Sequence, residues 1–276
     1  MTQIVADTTC GLPLDMLAAL KIPVIPQLVT FGEQSFCDDG ELTTELFLEK
    51  LRGSSSLPKT AAPVPALYAP IFSAAAGETV IVVAPSGKVS GTVRSAETAR
   101  QDFPQADIRV VDTQTIAGCL GSLVLVAYHM ARRGEPADAI VEELNRLIPR
   151  SRTYFVLDTL EYLQKGGRIG GARALLGELL QVKPILQIKN GRVEACEQER
   201  TKKRATARLI EMVCEQLAVS SQPYLCVMHI DADSELQALR NTLAARLQLD
   251  NIPDYLLPPA IVVHAGPKAL AAGFFI

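Results

Sequence analysis

The residues best suited to bind a ligand form a short hydroxyl-rich loop at positions 86–92. Ser90 and Thr92 follow an apolar run at 80–84 and begin a stretch with the spacing of a helix. The first N–H groups of a helix have no partner within it, and the helix dipole is positive there, so anions bind well at this position. The loop therefore predicts an anion site in which Ser90, Gly91 and Thr92 contact the ligand.

The anion predicted at this loop carries a single negative charge. A phosphate head group has about two negative charges and ordinarily recruits Lys or Arg. Lys88 and Arg94 are close in sequence, but we favour the interpretation that both are solvated surface charges. Uncharged hydroxyls suit a carboxylate better. If an apolar chain follows it, a dozen buried methylenes contribute roughly 10 kcal/mol before ordering costs.

None of the common catalytic motifs is complete in this sequence. A GxxxxGK[ST] phosphate loop is absent, and the glycine-rich stretch at 166–171 lacks GxGxxG spacing. Ser56 and Lys59 match SxxK, but Pro58 prevents the helical turn that this pair needs. Metal-binding motifs are also absent, so we expect neither a metal nor a cofactor.

One histidine stands apart from the other two. His264 follows the apolar run IVV and precedes a glycine, which predicts an imidazole at the carboxyl end of a strand. Such a side chain can cap a turn, form a buried hydrogen bond or face a ligand. We favour the ligand-facing role.

Composition excludes several classes of protein. The formal charge is −3 and only 5% of residues are aromatic, so we expect no nucleic-acid binding. The longest apolar tract, at 120–131, is interrupted and too short for a bilayer span of ~20 residues, so no stable membrane insertion is expected. Six scattered cysteines without CxxC spacing indicate reduced thiols. We therefore expect a cytoplasmic protein, and a monomer by default.

Alternating patterns indicate the fold class. Short β-branched runs alternate with helix-like stretches, which predicts an α/β fold with mainly parallel sheets. The alternation restarts near residue 150, so we place an N-terminal α/β domain at 1–150 and a C-terminal one at 151–276. Asn190-Gly191 predicts a hairpin, hence an antiparallel pair in the second sheet. Strands are predicted at 3–6, 24–31, 79–84, 108–111, 154–157, 184–188, 225–230 and 260–263, and helices at 43–51, 66–75, 92–103, 120–133, 202–217 and 234–247.

Nine motifs run in a fixed order through nearly the whole chain. They are ADTTCGLP, IPVIPQLVTF, LPKTAAP, VSGTVRSAETA, VVDTQTIAGCLG, LDTLEYLQKGGRIGGARALLG, VKPILQIKNGRV, ERTKKRA and HAGPKALAAGF. Together they resemble the DegV family of bacterial lipid-binding proteins. The resemblance implies a long-chain fatty acid held in a tunnel between two α/β domains. It also implies a role as the acyl-carrying subunit of a fatty acid kinase, in which a separate ATP-dependent subunit phosphorylates the bound carboxylate.

The resemblance implies roles for individual residues as well. Thr60 of LPKTAAP, Ser90 of VSGT and His264 of HAGP occupy carboxylate-binding positions, whereas Arg168 and Arg200 match further motif positions. The chain departs from the family beside the first of these, because KTAAPVP stands where KTSQPS is usual. It departs again before the second, where a proline replaces a common serine.

A basic segment, RTKKRATAR at 200–208, follows a predicted strand. Taken alone, it is typical of a solvated helix face. A second interpretation combines Arg200 with Arg168 and Arg173 as a docking surface for an acidic kinase partner.

Our main hypothesis is a lipid-binding subunit that performs no catalysis itself. Two alternatives stay open at this point: an enzyme acting on a small phosphorylated metabolite at the hydroxyl loop, and a regulatory interaction module with an incidental cavity. The apolar side chains considered for the tunnel wall, each of which also suits an ordinary core, are Leu175, Leu176, Leu179, Leu180, Ile185 and Phe274.

Overall fold

The structure is a computed structural model that describes residues 2–75, 77–177, 182–217 and 224–276. Its strands are β1 (Thr2–Asp7), β2 (Val24–Ile25), β3 (Leu28–Phe31), β4 (Gln34–Cys37), β5 (Lys59–Ala61), β6 (Thr79–Ala84), β7 (Ile108–Asp112), β8 (Ser151–Val156), β9 (Lys183–Lys189), β10 (Arg192–Glu199), β11 (Leu225–His229), β12 (Asp254–Leu256) and β13 (Leu270–Phe275). Its helices are α1 (Leu14–Ala19), α2 (Thr44–Gly53), α3 (Ala69–Ala74), α4 (Thr92–Arg100), α5 (Gly118–Arg132), α6 (Ala137–Leu147), α7 (Glu161–Lys165), α8 (Lys202–Leu217), α9 (Asp233–Leu247) and α10 (Pro259–Ala265). Short 3-10 helices cover Thr8–Cys10, Pro65–Leu67, Ile148–Arg150 and Gly170–Gly177.

The first sheet is parallel, in the strand order β2-β1-β6-β7. Strand β6 is buried on both faces, as parallel strands between two helical layers are. Ile81 and Val83 pack with α5 and α6, whereas Val80 and Val82 pack with Phe72 and α4 on the opposite face. The α/β class and the predicted strand at 79–84 are confirmed here.

The second sheet corrects one part of the predicted fold class. Its order is β10-β9-β8-β13-β11-β12, and within the described residues four of its five strand pairs are antiparallel, the exception being β11 with β12. The expectation of mainly parallel sheets is therefore wrong for this sheet. Its strands are apolar on both faces because α8 and α9 cover one face and an interior core the other. Burial on two sides does not require parallel pairing.

The predicted hairpin at Asn190-Gly191 is confirmed. These residues join the antiparallel strands β9 and β10, and both have positive φ angles, 50° and 77°. Asparagine and glycine adopt such angles at low cost, which suits a two-residue turn to the twist of the strands. The predicted antiparallel pair in the second sheet therefore forms where the sequence indicated.

A third, small antiparallel sheet has the order β4-β3-β5. The single strand predicted at 24–31 is divided in the structure, because Pro26 and Gln27 separate β2 from β3. Proline lacks the N–H that a continuing ladder needs. Strand β2 joins the first sheet, and β3 begins the small sheet that carries Thr60 on β5.

The predicted strand at 260–263 is wrong, because these residues lie in the helix α10. Pro259 is the first residue of α10, a position where proline's fixed φ suits a helix. A four-residue β-branched run cannot distinguish a buried strand from a short buried helix.

The domain boundary predicted near residue 150 stays a prediction. Helix α5, which precedes this boundary, contacts both β1 of the first sheet and β13 of the second. No helix in the described ranges is long and apolar enough to cross a membrane.

Candidate functional site

A cavity lies between the second sheet and the loops that follow the strands of the first sheet, with empty space of about 940 Å³ counting its open mouth. Most of its wall is apolar. Strand β8 contributes Phe155 and β13 contributes Ala271, two directly paired residues on one face of the sheet. Ile116, Leu163, Ile188, Met228, Leu257 and Ile261 also line it. The wall suits an apolar chain rather than a polar metabolite.

Polar side chains gather at the mouth of this cavity. Thr60 Oγ1 and His264 Nε2 are 2.7 Å apart and hydrogen-bonded. Ser90, Gly91 and Arg168 line the same end, and Arg168 Nε donates to the carbonyl oxygen of Val89 at 3.1 Å. Thr60, Ser90, Arg168 and His264 are all half-buried. Four residues that lie far apart in sequence thus surround one opening.

Strand pairing positions Thr60. Strand β5 pairs with β3, opposite Val29, and its alternation leaves Thr60 half-buried between the exposed Lys59 and Ala61. Two of the residues that depart from the family pattern, Ala62 and Val64, follow Thr60 and have different surroundings. Ala62 lines the cavity beside Gly91, whereas Val64 is exposed.

The hydroxyl groups of the loop at 86–92 differ in their burial and in their hydrogen-bond partners. Ser86 is fully buried and donates to the carbonyl oxygen of Gly191 at 2.8 Å, which ties the loop to the β9–β10 hairpin. Ser90 Oγ accepts a hydrogen bond from the N–H of Thr92 at 3.3 Å, at the start of α4. Thr92 itself is fully buried and does not line the cavity. The structure thus brings Ser90 and Gly91, but not the Thr92 side chain, to the predicted ligand position.

His264 lies in the last turn of the helix α10 instead of at the end of a strand, so its predicted local structure was wrong. It lines the cavity, and its ligand-facing role stays a prediction. Burial, and then the charge of Arg168, lowers its pKa to about 4. The imidazole is therefore neutral near pH 7. Its Nδ1 is buried without a hydrogen-bond partner among the described residues and lies against Gly166.

Lys88 and Arg94 are exposed and do not line the cavity. The Lys88 ammonium donates to the carbonyl oxygen of Asn190 at 2.7 Å. Among the described residues, the cation that lines the mouth is Arg168, which also donates to the carbonyl oxygen of Gly166 at 2.8 Å. The loop is therefore not a cluster of cations of the kind that a phosphate head group usually recruits.

The basic residues considered for partner docking occupy different surroundings. Arg168 is half-buried at the cavity mouth, whereas Arg173 and Arg200 are exposed. Within the segment at 200–208, Arg208 forms an ion pair with Glu197 at 2.7 Å and Lys202 one with Asp158 at 3.0 Å. Part of the charge of this segment is thus matched by acids of the same chain. Its role in docking stays a prediction.

A buried polar network behind Ser90 was not predicted from the sequence. Asp7 Oδ2 accepts from Gln27 Nε2 at 2.7 Å and from Thr92 Oγ1 at 2.9 Å, while Asp7 Oδ1 accepts from the N–H of Thr9 at 3.0 Å. Through the last bond, Asp7 caps the 3-10 helix at Thr8–Cys10. Gln27 and Thr9 line the cavity. No local pattern could have found them, because each depends on partners distant in the sequence.

Two acids in this network have strongly altered acidities. Asp38 Oδ1 accepts from Thr8 Oγ1 at 2.5 Å and from the N–H of Gln27 at 2.8 Å. Burial raises the pKa of Asp7 to about 6 and that of Asp38 to about 7, against the hydrogen bonds that favour ionisation. Both carboxyls therefore titrate near neutral pH.

The side chains considered for the tunnel wall lie elsewhere. Leu175, Ile185 and Phe274 are buried in hydrophobic cores and do not line the cavity. Leu179 and Leu180, as well as the side chain of Leu176, lie outside the described part of the molecule. Leu175 belongs to a hydrophobic core. Alternate residues of β8, Thr153 and Phe155, together with Ala271 of β13, form part of the cavity wall instead.

Known proteins resemble this chain along its whole length. A DegV domain-containing protein of Deinococcus radiodurans is 35% identical over 269 residues, which covers 97% of this chain and 95% of the relative. A solved structure described as fatty acid binding of a DegV family protein from Thermus thermophilus superimposes with a TM-score of 0.93 at 33% identity, covering 99% of both chains. The structure of DegV, a fatty acid binding protein from Bacillus subtilis, gives a TM-score of 0.90 at 28% identity, covering 100% of this chain and 99% of that one.

The family model supports the same assignment. A model described as an uncharacterised protein family, the DegV family, matches residues 1–276. The order of motifs noted in the sequence agrees with this match. The chain belongs to the DegV family.

Proposed function

We propose that this protein binds a long-chain fatty acid, with the acyl chain in the cavity and the carboxylate between Thr60, Ser90 and His264. The observation that carries the proposal is a half-buried polar cluster at the mouth of an apolar cavity. The fatty acids bound by the Thermus thermophilus and Bacillus subtilis proteins support the same ligand class.

The chemistry of the mouth fits a carboxylate. An unpaired buried charge costs several kcal/mol, so the head group needs hydrogen-bond donors. When the neutral His264 imidazole donates its Nε2–H to Thr60 Oγ1, the Thr60 hydroxyl hydrogen is free for the carboxylate. The Ser90 hydroxyl is a second possible donor, and neither adds positive charge. Arg168, at the same opening, adds one cation that attracts the anion.

Native mass spectrometry of gently purified protein tests the ligand class. We expect co-purified fatty acids with chains of about 14 to 18 carbons, because each methylene adds ~0.8 kcal/mol on burial. A Thr60→Ala, Ser90→Ala double variant should lose most of this cargo. A small phosphorylated metabolite in place of the lipid would contradict the proposal and favour an enzyme at the hydroxyl loop.

The finer part of the proposal is that the lipid is presented to a separate fatty acid kinase subunit that supplies ATP. This protein then acts as the acyl carrier and leaves the chemistry to its partner. Arg173 and Arg200 are exposed cations suited to an acidic docking surface, and Arg168 stands nearer the carboxylate.

Charge reversal separates docking from lipid binding. An Arg173→Glu, Arg200→Glu variant should retain its fatty acid but lose most of the kinase-dependent formation of acyl phosphate. Arg94→Glu, a reversal at another exposed arginine, is the matched control. Equal phosphorylation of all three proteins, or loss of lipid by the double variant, would count against docking at this surface.

A further inference from the structure

A hydrogen-bond chain connects the proposed lipid site to a carboxylate that the site itself does not use. Ser90 Oγ is 2.9 Å from Thr92 Oγ1, which is 2.9 Å from Asp7 Oδ2. Gln27 Nε2 lies 2.7 Å from Asp7 Oδ2 and 2.9 Å from Thr92 Oγ1. Asp7 and Thr92 are almost completely buried, at 1% and 0% exposure. Neither touches the cavity.

Counting hydrogens fixes the direction of this chain when Asp7 is ionised. A carboxylate only accepts, so the single hydroxyl hydrogen of Thr92 is directed to Asp7. The two amide hydrogens of Gln27 are used by Asp7 and Thr92. Between Ser90 and Thr92, the hydrogen must then come from Ser90. Ser90 is left without a donor for a ligand, whereas a lipid carboxylate requires one.

A proton on Asp7 reverses the chain. Protonated Oδ2 donates to Thr92 Oγ1, Thr92 donates to Ser90 Oγ, and the Ser90 hydrogen becomes available to the lipid carboxylate. Both hydrogen bonds from Gln27 persist, because Thr92 and Asp7 each have a second lone pair that accepts. The proton comes from solvent, and no bond within the lipid forms or breaks.

The surroundings of Asp7 favour such a proton. The titratable groups that face it are the Asp38 carboxyl, the Cys10 thiol and the Tyr68 phenol, none of which supplies a positive charge. A bound lipid carboxylate adds another negative charge three hydrogen bonds away, through Ser90 and Thr92. Like charges in a buried site disfavour joint ionisation, and burial already raises the pKa of Asp7 to about 6.

We propose that binding of a fatty acid carboxylate at Ser90 is coupled to the uptake of one proton by Asp7, with Thr92 as the relay. The inference rests on the proposed function, since it needs a carboxylate at the mouth. Asp7 and Thr92 are positioning residues in this scheme, because they orient the Ser90 hydroxyl without touching the ligand.

Calorimetry in buffers of different ionisation enthalpy counts the protons taken up. Dodecanoic acid is titrated into the full-length protein at about pH 8, where Asp7 and the free acid are ionised. The wild type should take up about one proton per bound lipid. Its affinity should fall about tenfold per pH unit above the pKa of Asp7, as linkage to one proton requires.

Four variants locate the proton. Asp7→Asn is isosteric and permanently neutral, and its amide can donate to Thr92, so it should bind lipid with no proton uptake. Thr92→Val interrupts the relay and should also abolish uptake, whereas Thr92→Ser should restore it. Asp38→Asn, which neutralises the other acid of the network, is the matched control and should retain uptake.

Each outcome of these measurements either supports or overturns the assignment of the proton to Asp7. Undiminished uptake by Asp7→Asn would assign the proton to the lipid or to Asp38 and overturn the proposal. Should Asp7→Asn fail to fold, equal uptake by Thr92→Val and Thr92→Ser would overturn it just as well. If the wild type binds no dodecanoic acid at all, the proposed function fails instead, and the two failures are thereby distinguished.

Discussion

The mouth and the deep end of the cavity are built in opposite ways. At the mouth, Thr60, Ser90 and His264 come from three separate segments and are fixed by directed hydrogen bonds. Deeper in, alternate residues of two paired strands, such as Phe155 and Ala271, form a continuous apolar wall. In the proposed complex, a few directed contacts hold the head group and buried area holds the tail, so substitutions at the two ends should have different effects. The mouth would then select the chemical group, and the wall would contribute most of the affinity.

The largest effect should come from shortening the ligand. Removing four methylenes, from sixteen carbons to twelve, should cost about 3 kcal/mol, or more than a hundredfold in affinity, because the wall binds through buried area. Competition binding with a series of saturated acids measures it. An affinity independent of chain length would mean that the tail does not occupy the cavity.

A smaller but still large loss should follow Thr60→Val. The substitution keeps the shape of the side chain and removes one hydrogen bond to a charged group, a loss of about 1.5 to 3 kcal/mol. Thr30→Val, in the neighbouring strand and away from the cavity, is the control. The same affinity for a fatty alcohol in both variants, measured alongside the acid, would show that the loss is specific to the carboxylate. Equal losses for acid and alcohol would assign Thr60 a packing role.

Gly166→Ala should weaken binding by about 1 kcal/mol through overpacking at the mouth. An added Cβ would lie 2.2 Å from His264 Nδ1 and would displace the imidazole from Thr60. Gly53→Ala has no atom within 4 Å of the new Cβ and serves as the control. Fluorescent fatty acid displacement measures the change, and unaltered affinity would show that the position of His264 is not critical.

The smallest effect is expected from a substitution in the cavity wall, and it concerns the stability of the free protein. The hydroxyl of Thr153 is buried near the Cys119 thiol, a weak hydrogen-bonding group, and has no oxygen or nitrogen partner in the described residues. Thr153→Val removes this polar group at constant volume and should stabilise the free protein by up to about 1 kcal/mol. Thr153→Ser, which keeps the hydroxyl and loses a methyl, should destabilise it. Thermal unfolding of the three proteins compares them, and a less stable valine variant would reveal an unrecognised partner for the hydroxyl.

Local patterns predicted the fold well where one short segment determined the outcome. The β-branched strand at 79–84 and the Asn190-Gly191 turn are both set by the conformations that their own residues prefer. The run at 260–263 failed because its four apolar residues suit a buried helix as well as a strand, and the preceding prolines decided for the helix. Antiparallel pairing of the second sheet depends on the return path of the chain, which no local pattern records.

The site was predictable only in part. Ser90 and Gly91 were predicted to form an anion site from their position before a helix, whereas Thr60 was selected through the family resemblance; all three line the cavity. Gln27 and Asp38 were missed, because a lone polar residue acquires its role from partners that the fold brings together. The chemistry of the loop could be read from sequence, but the network that controls it could not.

The bond from Ser86 to Gly191 constrains how a ligand enters. Together with the bond from Lys88 to Asn190, it joins the loop before Ser90 to the hairpin tip of the other sheet. Hinging the two halves apart along this seam would break both bonds and expose a fully buried hydroxyl. A fatty acid that enters through the existing opening of the cavity leaves both bonds intact. We therefore expect the ligand to exchange through small movements of the residues around this opening, without separation of the two sheets.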